Sequence, residues 1–401
     1  MATAPTVSNR QAVAQSPKSN APMPIPFCRA ARRKSIQATS GSVALSNGSV
    51  TPLPPLVLPP AGFLRDLEVY FQIATTGNGA TVAVAAGTDI PWNLINNLQV
   101  TNAAGDTIYV PISGFDLYLI NKYSGIYQAP NCDPRRDPVF AALTTGAGAT
   151  VPTGAFMLRI PFETDPRDAF CALPNLAANK AYQLLINFAA LSTLYAGGTA
   201  PTGNTTTLTY TIVMNYWSQP NAQNGQGYPQ STAPGGVGSV SLWRKQTQVV
   251  SGGNKVIQLT NVGNVIRWLA FTLYSNAGTP LRDDTDWPGI VYIRLNNDPL
   301  FYKPSAFWLS EMRQAYEYGQ AAGTKDTADN LDTGVYVISE FMRQHGNVQV
   351  DSPRDQYLVT LDSTLIQYEA ANFGGSAGTL FILSNEIKPV DAAALYSTNI
   401  V

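Results

Sequence analysis

The feature that most constrains this chain is a pattern that occurs twice. "TIYVPISGFDLYL" spans 107–119 and "LFYKPSAFWLSEM" spans 300–312. Each carries Tyr-x-Pro, as Tyr109-Val110-Pro111 and Tyr302-Lys303-Pro304, then small residues, then a Phe that opens a helix-like run. Further matches flank both copies in the same order. "FLRDLEVYF" (63–71) lies over "VIRWLAFTL" (265–273), with Arg65 over Arg267 and Leu67 over Leu269. "TGAFMLRIPF" (153–162) lies over "TGVYVISEF" (333–341), "YQLLINF" (182–188) over "YLVTLDS" (357–363), and "TLTYTIVM" (207–214) over "GTLFILS" (378–384). The offset falls from 202 to about 171 along the chain, as in a duplicated domain whose second copy has shorter loops.

The repeated unit is written in strands. Phe63, Leu67, Val69, Phe71 and Ile73 alternate with Asp66, Glu68 and Gln72, the period of a half-buried strand. "TGNG" (76–79) is a turn, and "ATVAVAA" (80–86) alternates again. Further strands are expected at 97–102, 107–110, 155–162, 181–188, 207–216, 254–260, 264–274, 290–296, 335–341, 356–362, 364–369 and 379–384. Two runs break the pattern. Phe115, Leu119 and Tyr123, and again Trp308, Met312 and Tyr316, recur every fourth residue, which predicts short helices with one packed face. Eight strand-sized runs per copy close without exposed edges as a two-sheet sandwich. The expected fold is therefore all-β: two tandem eight-stranded jelly rolls with short helices in loops.

The expected organisation is a basic flexible arm over 1–48, a first jelly roll over 49–217, a linker over 218–240, a second jelly roll over 241–388 and a tail over 389–401. The arm has little periodicity and is expected to order only against a partner. "TPLPPLVLPPAG" (51–62) is a proline-stiffened lead-in, and the linker has neither periodicity nor charge up to 238. Charge is uneven. Residues 1–64 carry six basic side chains (Arg10, Lys18, Arg29, Arg32, Arg33, Lys34) and no acid, leaving 19 basic and 26 acidic residues in the remainder. Only 13% of the chain is charged, about half the ~25% of ordinary soluble proteins, which suits a surface that meets other protein.

Little here points to chemistry. Cys28, Cys132 and Cys171 are odd in number and form no CxxC, so they give neither a disulfide framework nor a zinc signature. His345, the one histidine, lies in a turn-like stretch, and a single His excludes His-rich metal sites and the two-barrel enzymes that need several His ligands. "RDDTDWPG" (282–289) brings Asp283, Asp284 and Asp286 together as a candidate Ca²⁺ loop, without the spacing or terminal Glu of an EF-hand; a solvated acidic turn is the plainer reading. No Gly-rich phosphate loop is present. No enzyme and no cofactor are expected. "CRAARRKS" (28–35) is the sharpest charge feature: Arg29, Arg32, Arg33 and Lys34 are expected to meet phosphate, in lipid headgroups or nucleic acid. Aromatic residues do not interleave with these charges, so stacking on single-stranded bases is not indicated. Arg65 and Arg267 interrupt apolar strand faces, which reads as structural.

With these features the chain resembles the double jelly-roll major capsid proteins of tectivirus-like, internal-membrane-containing bacteriophages. The resemblance covers nearly the whole length and rests on the ordered repeat and on runs such as "FETDPRDAFCALPNL" (162–176) and "YLVTLDSTLIQYEAANF" (357–373). The proline-rich lead-in at 51–60 departs from it. The resemblance implies a homotrimer with six similar lobes, tiling an icosahedral shell around a membrane. Its partners are then neighbouring capsomers, minor capsid and vertex proteins, and inner-membrane headgroups met by the arm, with no sequence-specific nucleic acid. The implied location is the virion, after synthesis in the host cytoplasm. Two other classes stay open. One is a jelly-roll receptor- or carbohydrate-binding spike or lectin, which needs exposed aromatics such as Trp287 and Trp308. The other is a double-domain glycan hydrolase, which needs convergent carboxylates.

Overall fold

The structure is a computed structural model that describes residues 24–77, 89, 91–124, 126, 154–194, 204–221, 223, 231–260, 262–276, 282, 284–316, 333–338, 357–361, 363 and 365–388. The strand expected at 80–86, Cys132, Asp283, His345 and the tail 389–401 lie outside the described residues.

The first copy contains β1 (Arg33–Ala44), β2 (Thr51–Pro52), β3 (Leu56–Val57), β4 (Phe63–Gly77), β5 (Ile95–Thr101), β6 (Thr107–Ile112), β7 (Gly154–Pro161), β8 (Leu173–Pro174), β9 (Gln183–Phe188) and β10 (Asn204–Trp217). One sheet runs β1-β10-β4-β7, with β8 on the end of β4; the other runs β6-β5-β9, with β2 and β3 both on β9. Pro54 and Pro55 separate β2 from β3, because proline offers no N–H to a ladder. Counted as one edge strand, they make this sheet four-stranded too. Alternation builds the core: Leu67, Val69, Phe71 and Ile73 of β4 are buried while Tyr70 and Gln72 are exposed. Phe71 meets Phe188 of β9 edge-on at 5.5 Å, joining the two sheets.

The second copy contains β11 (Val240–Val249), β12 (Gly253–Leu259), β13 (Val265–Ser275), β14 (Ile290–Leu295), β15 (Asp298–Pro304), β16 (Val335–Ile338), β17 (Leu358–Val359), β18 (Ile366–Phe373) and β19 (Ala377–Lys388). Its sheets run β11-β19-β13-β16 and β15-β14-β18-β12, with β17 on the end of β13. Strand for strand this is the order of the first copy. The chain is two tandem jelly rolls. Even an irregularity is repeated: Arg65 is the extra residue of a bulge between Leu64 and Asp66, and Arg267 is the extra residue between Ile266 and Trp268. The bulge turns each Arg side chain onto a Trp, Arg65 at 5.2 Å from the Trp217 ring and Arg267 at 5.8 Å from Trp243.

Three expectations are corrected. The flexible arm expected over 1–48 is not unstructured through its length, because Arg33–Ala44 forms β1 and pairs antiparallel with β10 from Arg33↔Trp217 to Ala44↔Thr207. "YLVTLDS" is not the counterpart of β9. It holds β17, which pairs β13 as β8 pairs β4, and the counterpart of β9 is β18. The helices also differ: α1 is the single turn Phe27–Ala30, α2 is Gly114–Tyr123 and α3 is Ser305–Tyr316. Of the two expected to have one packed face, α2 is buried on every side, and only α3 exposes residues such as Ala306 and Phe307 while burying Trp308, Leu309 and Met312.

Candidate contact surfaces

The basic stretch begins at a one-turn helix anchored by its apolar residues. Pro26 opens α1, its carbonyl accepting the N–H groups of Arg29 at 2.9 Å and Ala30 at 3.2 Å. Phe27 is buried edge-on to Phe63 at 5.2 Å and to Trp217 at 6.2 Å, over the ends of β4 and β10. The Phe27 N–H donates to Thr232 Oγ1 at 3.1 Å, and the Thr232 N–H donates to the Ile25 carbonyl at 2.8 Å, so the linker straps this segment down. Gly236, at φ 55°, lies so close to Phe170 that a Cβ there would sit 2.2 Å from its ring. With the apolar residues turned inward, Arg29, Arg32, Arg33 and Lys34 are all exposed.

These four cations are not equally free. The Arg33 guanidinium lies 4.8 Å from the Trp217 ring centroid, and the Trp217 Nε1 donates to Glu163 at 2.5 Å. Arg65 Nε holds the other oxygen of Glu163 at 2.8 Å. Burial nevertheless pushes the Glu163 carboxyl above its ordinary value, against the lowering effects of Trp217 and Arg65. Burial, reinforced by Glu163 and Asp168, pushes the neighbouring Cys28 thiol up to about 12, so it stays protonated at neutral pH and is neither a nucleophile nor a ready metal ligand. Four exposed cations thus stand beside the ends of β1 and β10, with Arg33 held against Trp217.

The acidic loop has a different use. Asp284 is buried and accepts the Gly334 N–H at 2.7 Å; Asp286 accepts the Gly374 N–H through its carbonyl at 3.0 Å and faces the Ser376 N–H through its carboxylate at 3.4 Å. Both tie the loop to neighbouring backbone. Among the described residues no three His, Cys, Asp or Glu side chains are placed to hold a metal ion. The aromatics considered for a glycan site are corrected as well. Trp287 is buried and stacks on Tyr336 at 3.9 Å, and Trp308 is buried with its Nε1 donating to the Val337 carbonyl at 2.6 Å. They belong to the second core.

A polar and aromatic constellation that sequence reading missed lies where the two copies meet. β11 runs parallel to β6 through the single bridge Trp243↔Tyr109, which fuses one sheet of each copy into a continuous one. The two rings stack at 6.0 Å, and Trp243 meets Trp268 at 5.4 Å. Asp116 closes a capping box with Ser113 at the start of α2 and receives Lys245 Nζ at 2.5 Å from β11. Arg282 of the second copy, fully buried, pairs with Asp89 of the first at 2.8 Å, donates to the Thr333 carbonyl and lies 4.5 Å from the Phe115 ring. Tyr274 donates to the same Asp89 at 3.1 Å. The signal available in sequence was the first Tyr-x-Pro pattern itself, since Tyr109, Phe115 and Asp116 all belong to it.

No protein-family profile matches the chain, and no curated protein matches its sequence. Solved structures do match its fold. The major capsid protein of Sulfolobus Turreted Icosahedral Virus is 15% identical, with a TM-score of 0.61 over 91% of this chain and 99% of that one. The major capsid protein from bacteriophage PM2 is 12% identical, with a TM-score of 0.50 over 90% of this chain and 99% of that one. The Faustovirus major capsid protein is 10% identical, with a TM-score of 0.52 over 94% of this chain and 92% of that one. The fold this chain shares with them is the double jelly roll of viral major capsid proteins.

Proposed function

We propose that this chain is a structural major capsid protein of a virion, not an enzyme, and that three copies form a pseudo-hexagonal capsomer of an icosahedral shell. The observation that carries this reading is the duplicated strand order, each copy a complete eight-stranded sandwich, in a fold shared almost end to end with capsid proteins. One chain then supplies two near-equivalent wedges, and three chains supply six. The low charge of the chain suits extensive lateral contacts. Native mass spectrometry of the purified protein at micromolar concentration should show a trimer, and a spectrum containing monomer alone overturns the reading.

The shell of this proposal encloses a membrane of the tectivirus-like bacteriophage type, and the four cations face its headgroups. Arg29, Arg32, Arg33 and Lys34 are exposed at one end of the first jelly roll, where cations contribute ~1 kcal/mol each near an anionic surface. Replacing all four with Gln should abolish flotation with phosphatidylserine-containing vesicles at low salt while leaving the trimer intact. Undiminished flotation rejects the membrane role.

A further inference from the structure

We propose that the first jelly roll binds the hydrocarbon chain of a free single-chain amphiphile in a cavity between its two sheets. The site belongs to one chain and does not depend on how copies associate. The cavity has a volume of about 260 Å³ and is half-open at the edge of the sandwich where β1 faces β2 and β3. It is larger than the ~150 Å³ apolar cavity that takes benzene. Thr39 of β1 with Tyr210 and Ile212 of β10 forms one wall, and Leu184 and Ile186 of β9 form the other. The segment Leu53 to Leu56 completes the lining.

The second jelly roll shows what keeps this edge open. Asn215 and Asn385 are equivalent, each facing the residue that follows its bulge Arg. Three residues before each, Ile212 lies opposite Thr39 and Ile382 lies opposite Gln246, so Thr39 takes the place of Gln246. Gln246 stitches its edge to β12: its Nε2 donates to the Gln258 carbonyl at 2.9 Å, and its Oε1 accepts the Thr260 N–H at 3.3 Å. Thr39 is too short to make such a bridge. Two residues on, Gly41 takes the place of Gln248, and a Cβ at Gly41 would stand 2.7 Å from the Tyr210 hydroxyl oxygen. The facing strand adds volume. β12 pairs β18 without a break from Lys255 to Leu259. In the first copy Pro52 faces Asn187 and Leu56 faces Leu184, one residue more than β9 supplies, so the chain bulges at Pro54-Pro55.

The lining sets the chemistry of the guest. Leu184, Ile186 and Ile212 are buried, and no charged side chain lines the cavity. An ionised group would lose its hydration there without a partner, so the enclosed part of the guest is uncharged. The walls are mostly aliphatic, which suits a flexible hydrocarbon chain that packs against all of them. The side-chain polar groups of the lining are the Thr39 and Tyr210 hydroxyls, and Tyr210 makes no hydrogen bond among the described residues. Its hydroxyl is placed to bind one polar head. Position identifies the source. Thr39 lies six residues along β1 from Arg33, roughly 20 Å at about 3.3 Å per residue, so the site stands well away from the four cations. A lipid seated in a bilayer that those cations meet does not reach it, whereas a free amphiphile does.

The test titrates n-octanol into the full chain by isothermal calorimetry. The wild type should bind one molecule per chain. Thr39→Trp, which puts a large side chain into the cavity from an edge strand, should weaken binding on the order of tenfold. Tyr210→Phe keeps the ring, removes the hydroxyl and should weaken binding about fivefold, and this comparison decides alone if Thr39→Trp fails to fold. Val256→Trp, at an exposed edge of the second jelly roll, should leave binding unchanged. A wild type that binds no n-octanol overturns the inference, as does binding that ignores both Thr39→Trp and Tyr210→Phe. Flotation of the wild type with neutral phosphatidylcholine vesicles that Thr39→Trp abolishes would overturn the free amphiphile in favour of a bilayer lipid. None of these readings depends on the number of copies. Failure here leaves the capsomer proposal standing, and a monomeric wild type leaves this inference standing.

Discussion

The two copies of the Tyr-x-Pro element have the same backbone plan and opposite surroundings. In the first, β6 and α2 lie beneath the second jelly roll, and every residue of α2 is buried. In the second, β15 and α3 are the outer boundary of the described chain, and α3 is amphipathic. Sequence pattern alone treats them as twins. Two things separate them. Phe115 and Asp116 meet Arg282 and Lys245 of the second jelly roll while Phe307 stays exposed. Tyr109 faces the interior of its own sandwich opposite buried Val100, while Tyr302 lies opposite Tyr292 on the outer face of its sheet. Burial of the helix follows from the pair of domains, and burial of the tyrosine from the face of the strand it occupies.

That contrast can be broken at either end. The largest effect is expected at the covered end. Arg282→Ala removes the partner of the buried Asp89 and the cation over Phe115, and should cost about 3–5 kcal/mol in urea unfolding, because it strands a buried carboxylate. A change under about 1 kcal/mol would mean that Arg282 contributes little and that the two copies are held by the β6–β11 bridge and the remaining Lys245–Asp116 and Tyr274–Asp89 contacts. The smallest effect is expected at the bare end. Phe307→Ala in the dissociated chain should shift stability by no more than about 0.5 kcal/mol, as for an exposed residue without a local role. A larger loss, measured below the concentration at which copies associate, would show that Phe307 packs within its own chain.

Most of the architecture was legible because alternation and order survive duplication. Strands β4 and β13, the Tyr-x-Pro strands and the following helices were all placed by pattern, with residues such as Leu67 and Leu269 directed inward by the pleat. Besides the short strands β2, β3 and β8, the long strands missed in the two copies are equivalents, β1 and β11. Neither carries alternation along its length. "RKSIQATSGSVA" is exposed along its first half and paired on one side only, and "VSLWRKQTQV" buries Ser241, Leu242 and Trp243 in succession because another sheet covers its second side. Edge strands obey their neighbours, and the neighbours are distant in sequence. The slip of "YLVTLDS" onto β9 has a related cause: β17 and β18 lie close together in sequence, and a short apolar run does not say which sheet it joins. Trp287 and Trp308 were candidates only for the alternative glycan-binding reading. The helical spacing that put Trp308 on a packed face agrees with its bond to the Val337 carbonyl, whereas Trp287 stands among polar turn residues and only its stacking on Tyr336 shows that it faces inward.

The pairing of β1 also dictates when the first jelly roll can close during synthesis. Arg33 waits for Trp217, and β1 reaches β4 only through β10, so its ladder cannot form until nearly two hundred further residues have been made. The strand that follows, β11, then finds β6 already paired with β5, which is itself backed by β9. The late arrival of β10 makes the last strand of one wedge and the first strand of the next near-simultaneous events. A ribosome-bound chain truncated before Asn204 is therefore left with β4 open on the side that β10 should fill, a long exposed edge at the stage when aggregation competes most directly with folding.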